Sequence, residues 1–473
     1  MPLSDCLTLA RQVQLHERTA REVADEALDK AAGLNDEWRA FITITPELAR
    51  RQAEQVDKRL AAGERLPLAG VPFGVKDLFD VVGVPTTAGS RMFAERKPGA
   101  DATVVQRLTA AGAVPIGKLN LHECAFGFTG ENEAYGNCKN PWDPERIAGG
   151  SSSGSAVAVV LGICPFTIGS DTGGSIRHPA ALCGLTGLKP TYGRVSRAGG
   201  IPLSWTMDHV GPMARTAAEA AAVLQVIAGR DEADETSSER PVPDYAQALR
   251  SPLRGLKLGV PQNWFLDAVD PDVGAAVEKA IDELVRLGAT RVKVTLPHME
   301  EVVGAHRAVL FAEASAYYQP FLKVEERDNP KGRRFADDIR PLLEAGLFLP
   351  AVDYINAQRL RKQVRAAWGE VFSKIDCLAT PTSPIVATRF GQQTAKLKDQ
   401  DKPLVRAFLD MTLPFNYSGH PALSMPCGQS SAKLPIGLQL VGRPFDEGTI
   451  LRAAHQYQLA TDWHSRRPTR HAS

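Results

Sequence analysis

Three observations predict an α/β fold in which a sheet carries helices on both faces. Short apolar strands, turns and helical segments alternate from Val71 onward, the pattern of a covered sheet. Two glycine-rich turns, Gly149-Gly150-Ser151-Ser152-Ser153-Gly154 and Asp171-Thr172-Gly173-Gly174-Ser175, stand before helix-like segments. The chain has 473 residues, 44% of them apolar, enough for a substantial core, and large α/β enzymes often form one unit of this size.

Two amphipathic helices open the chain. Thr19 and Glu22 form a capping box before Val23, Ala27, Leu28 and Ala31, with Gly33 as a stop. Thr45-Pro46 starts the second, which carries Leu48, Val56 and Leu60 and ends near Gly63. Gly70 to Lys76 reads as a strand, Ala156 to Leu161 as a helix and Phe166 to Ile168 as a strand. Pro179 opens a short helix that stops before Gly184. Another capping box, Thr216 with Glu219, begins a helix reaching about Ala228. Arg230 to Asp244 is polar, contains proline and lacks periodicity, so an exposed connector is expected before the alternation resumes at Leu256–Val260. The long helix from Asp353 to about Ser373 is basic on its solvated positions, as wet helix faces usually are. Gln392 to Lys402 reads as a mobile loop.

Composition excludes several classes of function. The net charge is +1, without a long basic run or an aromatic-basic alternation, so no nucleic-acid partner is expected. Met1 to Gln14 has no basic segment followed by an apolar one, and no apolar run is long enough to cross a bilayer. Seven scattered cysteines form no CxxC pair, which predicts buried free thiols rather than a metal site or disulfide framework. A cytoplasmic protein without a membrane partner is the expectation.

The chemistry concentrates in few residues. Val71, Phe73 and Val75 share one face of their strand and Gly74 and Lys76 the other, so Lys76 is aimed where Gly74 leaves space. A lysine kept from water can lose its proton near neutral pH and act as a base, although a lysine at a strand end is equally at home on the surface. Asp171–Ser175 follows a strand and precedes a helix. Its consecutive backbone N–H groups can therefore converge on one oxyanion; an ordinary turn with a capping serine is the plain alternative. Arg177 can pair with Asp171 and fix the turn. A rival reading takes Gly150-Ser151-Ser152-Ser153-Gly154 as a GxSxG elbow with Ser152 as nucleophile. That elbow needs a buried strand before it, where Asn140–Arg146 is loop-like, and no context singles out His420, His455 or His464 as its base.

Gly70 to Pro212 resembles the core of the amidase signature family, serine hydrolases with a Ser–Ser–Lys triad. The resemblance rests on Gly-Val-Lys-Asp at 74–77, Asn-Pro-Trp at 140–142, Gly-Gly-Ser-Ser at 149–152 and Gly-Ser-Asp-Thr-Gly-Gly-Ser-Ile-Arg at 169–177. Cys-Gly-Leu-Thr-Gly-Leu-Lys-Pro at 183–190 and Asp-His-Val-Gly-Pro-Met at 208–213 complete the run. Weaker similarity continues through Ala379–Thr382 and Leu434–Gly442. The resemblance implies one amidase domain over 1–473: N-terminal helices in 1–65, the catalytic core in 70–213, and a variable substrate-side region in 214–473 that completes a single large mixed sheet. It also implies Ser175 as nucleophile, Lys76 as proton acceptor, and Ser151 as the bridging serine after a cis Gly150–Ser151 bond. The backbone amides of Thr172, Gly173, Gly174 and Ser175 would form the oxyanion hole, and Asp171 and Arg177 would support it. Phe126, Gly127, Phe128 and Thr129, in the segment His122–Ala134, would line the acyl side. No metal or cofactor is implied.

Three functions are compatible with the resemblance: a free-standing hydrolase of small amides, anilides, esters or carbamates (urethanes); the amidase subunit of a tRNA-dependent amidotransferase; and an inactive scaffold. Ala460–Pro468 resembles that subunit, but its arginine pair shortly before a glycine reads here Pro341-Leu342-Leu343-Glu344-Ala345-Gly346. This departure, with the retained triad, favours the free-standing hydrolase. Phe321, Leu347, Phe348, Phe415 and Tyr417 lie in the regions that shape pockets, each aromatic being individually expected in the core. The sequence leaves the oligomeric state open, a homodimer among the options.

Overall fold

The computed structural model describes residues 3–328, 334–398 and 400–469. Its centre is an 11-stranded mixed sheet. In chain order the strands are β1 (Phe41–Ile44), β2 (Pro72–Lys76), β3 (Val114–Leu119), β4 (Phe166–Asp171), β5 (Thr186–Lys189) and β6 (His209–Ala214). They continue with β7 (Lys257–Pro261), β8 (Thr290–Val294), β9 (Cys377–Pro381), β10 (Ala422–Gln429) and β11 (Pro435–Gly442). Across the sheet the order is β1-β3-β2-β4-β6-β5-β10-β11-β9-β7-β8. β2 runs parallel to both β3 and β4, whereas β4 is antiparallel to β6. Every residue of β2, β3, β4, β6 and β11 is buried. Side chains alternate along a strand, so these strands are covered on both faces. The mixed sheet with helices over it agrees with the fold expected from the sequence.

Parallel pairing positions the chemistry. Val75 of β2 lies opposite Ile168 of β4, so Lys76 and Asp171 emerge at the same end of neighbouring strands. The C-terminal ends of parallel strands are where α/β sheets present ligand-binding loops.

Several elements differ from the sequence reading. A helix Cys6–Gln14, capped by the Asp5 side chain at the Thr8 N–H, precedes the two expected ones. The next helix does not stop at Gly33 but runs Ala20–Trp38 and ends at Arg39 in the left-handed region, φ 51°. Gly33 has no neighbour to force a turn there. The short helix begins at Arg177 rather than Pro179. Gln392–Lys402 overlaps the strands Thr394–Leu397 and Gln400–Pro403, paired antiparallel. Arg230–Asp244 is tethered rather than free: Asp234 and Ser237 are buried, and the Arg197 N–H donates to Asp234 at 2.8 Å. The basic helix, Ala351–Phe372, turns Arg361 inward, where Nη1 donates to the Thr206 hydroxyl at 2.9 Å. Phe415 and Tyr417 are core residues, Phe321 packs edge-on against Phe93, and Leu347 and Phe348 are exposed. All seven cysteines are free and buried. Among the described residues no helix is long and apolar enough to cross a membrane, and no cluster suited to a metal ion occurs.

Candidate active site

Lys76 ends β2 with its side chain fully buried. Its Nζ lies 2.7 Å from Ser151 Oγ, 2.9 Å from Ser152 Oγ and 2.9 Å from Ser170 Oγ. A neutral amine has two N–H donors and one lone pair, so three hydroxyls satisfy it without a counter-charge. Burial pushes the amine down to about 7, against the smaller opposing pull of Asp171 and Asp208. The space beside Gly74 is not open, as the sequence reading supposed. A Cβ there would stand 2.6 Å from Leu119 Cδ1, so the glycine admits Leu119. The neighbouring Asp77 carboxylate pairs instead with buried Lys118, at 2.5 Å.

The Gly150–Ser151 peptide bond is cis. The Gly150 N–H donates to the Phe128 carbonyl at 2.6 Å, and a Cβ on Gly150 would reach the Gly130 nitrogen at 2.7 Å. Only glycine allows the 127–130 loop to lie this close. Ser152, the rival nucleophile, is fully buried and donates to the Ser170 carbonyl at 3.2 Å. Asn140 and Asp143 pair within a two-stranded hairpin before this turn, not within the main sheet.

Ser175 is 8% exposed and faces a cavity of about 450 Å³. Its hydroxyl makes no hydrogen bond among the described residues. Catalytic contacts of this kind commonly close only when substrate binds. The turn carrying it is fixed from below. Arg177 Nη2 and Nε donate to Asp171 Oδ1 and Oδ2 at 2.8 and 3.0 Å, with both residues fully buried. Burial, the largest single influence, would raise the Asp171 carboxyl; the charge and hydrogen bonds of Arg177, with Lys189 and Asn416, together outweigh it and hold the group well below the usual carboxylate range. Arg177 Nη1 also donates to the Thr412 carbonyl at 2.9 Å and to Gln439 Oε1 at 2.7 Å.

One expected oxyanion donor is already engaged. The Gly174 N–H donates to Asp171 Oδ1 at 2.9 Å, because the carboxylate that pairs with Arg177 also caps the turn. The amides of Thr172, Gly173 and Ser175 have no acceptor among the described residues. Gly174 has φ +133°, and a Cβ there would strike Thr412 Oγ1 at 2.2 Å.

Phe126, Gly127, Phe128 and Thr129 line the Ser175 cavity, as do Thr172 and Gly173. Leu310 and Phe311 form another wall, with Phe126 and Phe311 rings 5.5 Å apart. Sequence reasoning missed three contributors. Ser170 holds Lys76; His306 meets the Thr172 carbonyl at 3.0 Å; Arg307 lines the cavity. Ser170 was in reach, since it directly precedes Asp171 inside the quoted motif. His306 and Arg307 carry no local signal.

Comparison with known proteins identifies the family. The Amidase family model matches residues 22–451. The glutamyl-tRNA(Gln) amidotransferase A-subunit of Chloroflexus aggregans (strain MD-66 / DSM 9485) is 45% identical over 471 residues, covering 96% of this chain and 95% of that protein. A chain from an inhibitor-bound complex that bears on the origins of an s-triazine catabolic enzyme superposes with a TM-score of 0.91 at 36% identity, covering 97% of this chain and 98% of its own. A bacterial aryl acylamidase of the amidase signature family gives a TM-score of 0.89 at 27% identity, covering 98% of each chain. With the motif run, the mixed sheet and full-length relatives in agreement, this chain belongs to the amidase family, the amidase signature enzymes.

Proposed function

We propose that this protein hydrolyses a C–N bond of a linear amide through an acyl-enzyme on Ser175. The observation that supports this most is Lys76, an amine with no exposure, pushed to about 7 and 2.7 Å from Ser151, in the cluster beside the cavity-facing Ser175. Neutral Lys76 accepts a proton from Ser151, which takes one from Ser175 as its Oγ attacks the substrate carbonyl. The amides of Thr172, Gly173 and Ser175 receive the developing oxyanion. The relay then returns the proton to the departing nitrogen, and water attacks the acyl group.

Two substrate readings remain in competition. Identity of 45% along nearly the whole chain to the A-type chain of an amidotransferase supports a role in releasing ammonia from glutamine within a tRNA-dependent assembly, and carries more weight than the sequence departure at Pro341–Gly346. The apolar walls, Phe126, Phe128, Leu310 and Phe311, and the likeness to an aryl acylamidase support free-standing hydrolysis of small apolar amides, anilides, esters or carbamates. The purified chain would be offered glutamine, acetanilides and phenyl carbamates, alone and as recovered in complex from its own cells. Ammonia from glutamine only in the complex supports the amidotransferase role; turnover of anilides by the chain alone supports the free-standing enzyme. Absence of any covalent acyl adduct on Ser175 with all of them would refute the shared mechanism.

A further inference from the structure

The Ser175 cavity holds one cationic side chain that the hydrolytic mechanism leaves unused. Arg307 stands on the helix Met299–Asp328, next to His306, whose Nε2 meets the Thr172 carbonyl at 3.0 Å. Residue 307 is therefore one step along the chain from a contact with the donor turn. Leu310 and Phe311, three and four residues further, line the same cavity, as helical spacing requires of one face. Among the described residues Arg307 makes no side-chain hydrogen bond or ion pair, and its Nη2 is closed off from solvent without an acceptor.

Among the described residues no carboxylate stands within ion-pair distance of it. Asp410, the carboxylate that acts on it, pairs its Oδ2 with Arg406 at 3.0 Å, while its Oδ1 is buried without a hydrogen-bond partner. Of the acids lining the cavity, Asp338 lies 3.6 Å from His122 and Glu131 accepts from the Gly391 N–H at 3.3 Å. The stretch Pro341–Gly346 sends Leu342 to the cavity, while Arg340 donates to Glu344 at 2.7 Å. Arg307 is the sole lysine or arginine among the described lining residues.

We propose that Arg307 sets the specificity of this cavity by selecting amides whose acyl chain ends in a carboxylate. A guanidinium in a partly desolvated, mostly apolar pocket is well matched to a carboxylate, which it can hold through two parallel N–H donors. The apolar wall of Leu310 and Phe311 suits the methylene chain between the carboxylate and the scissile carbonyl. Glutamine falls within this class, as do half-amides of dicarboxylic acids. The inference rests on acyl transfer at Ser175, so its test includes a measurement that needs no turnover.

Ammonia release would be compared for glutaramate and the uncharged hexanamide, with wild-type, Arg307→Met and Arg307→Lys proteins. Glutarate binding to the Ser175→Ala variant, with and without Arg307→Met, would be measured by calorimetry. Wild type should favour glutaramate in kcat/KM by about tenfold to a hundredfold, the range of a charge-assisted contact. Arg307→Met should collapse that preference, mostly through KM, and Arg307→Lys should restore part of it. Glutarate should bind Ser175→Ala and lose that binding with Arg307→Met. Turnover of both amides without an acid preference, or a preference that survives Arg307→Met, would overturn the role of Arg307. Glutarate binding that depends on Arg307 in a protein that turns over neither amide and forms no acyl adduct on Ser175 would sustain Arg307 and refute Ser175 chemistry.

Discussion

Lys76 joins burial to reactivity: three serine hydroxyls satisfy its amine, and exclusion of water lowers its affinity for a proton to about 7. Below that pH the amine is protonated and cannot accept from Ser151, so kcat/KM should rise through about pH 7 and level off above it. A profile flat from pH 5 to 9 would contradict a base role. Lys76→Arg should not restore activity, because guanidinium keeps its proton throughout this range; amide turnover by that variant would be equally contrary. Ser175→Ala should cost several orders of magnitude in turnover, leaving only what the oxyanion donors and binding supply. Mass spectrometry of the wild-type protein during turnover should find the acyl group on Ser175. Loss of activity confined to Ser152→Ala would return the elbow reading, although that hydroxyl is closed off from the cavity.

At the scale of elements, the turn between β4 and the helix Arg177–Cys183 depends on one buried ion pair. Arg177 ties Asp171 to Thr412 and Gln439, residues more than two hundred positions away. Arg177→Met would leave Asp171 as a buried carboxylate without its ion-pair partner, expected to destabilise by roughly 3–5 kcal/mol. Urea denaturation of the two proteins would measure it. The pair has a pH signature as well. Because Arg177 holds the folded Asp171 carboxyl low, its stabilisation is complete above the unfolded value, about 4, and is lost as pH falls through the lower folded value. The variant should show less of this acid-side decline, since Lys189 and Asn416 still act on Asp171. Gly174→Ala should impair both folding and activity, since a Cβ would meet Thr412 Oγ1 at 2.2 Å in a backbone region that side chains rarely adopt. A variant with unchanged melting temperature and kcat would show that the turn yields more easily than its packing implies.

Across the whole molecule, seven buried thiols from Cys6 to Cys427 sample the core from the first helix to β10. Burial raises the pKa of Cys124, Cys138, Cys164 and Cys183, which removes the reactive thiolate at neutral pH. The native protein should therefore react slowly with a thiol reagent and expose its thiols together with loss of circular dichroism in denaturant. Such coincidence would favour one cooperative unit over 1–473, as the sequence led us to expect. Release of Cys6 well before the others would show that the N-terminal helices open separately.

The sequence by itself determined the α/β class and the family and singled out most of the proposed catalytic residues, because the turns Gly149–Gly154 and Asp171–Ser175 are local devices whose glycines and hydroxyls are contiguous. It also marked Phe126–Thr129, which meet the cavity as one stretch. Tertiary structure decided what depends on contacts between distant elements. Leu119, from the neighbouring strand, occupies the space at Gly74. The Gly174 amide is held by a carboxylate whose position is shared with Arg177, which removes it from the free donors. Arg307 reaches the same cavity from a helix more than a hundred residues later. Periodicity and motif spacing report which residues share a face or a turn; which faces meet, and which charge is left without a partner, is fixed only when the whole sheet and its helices pack.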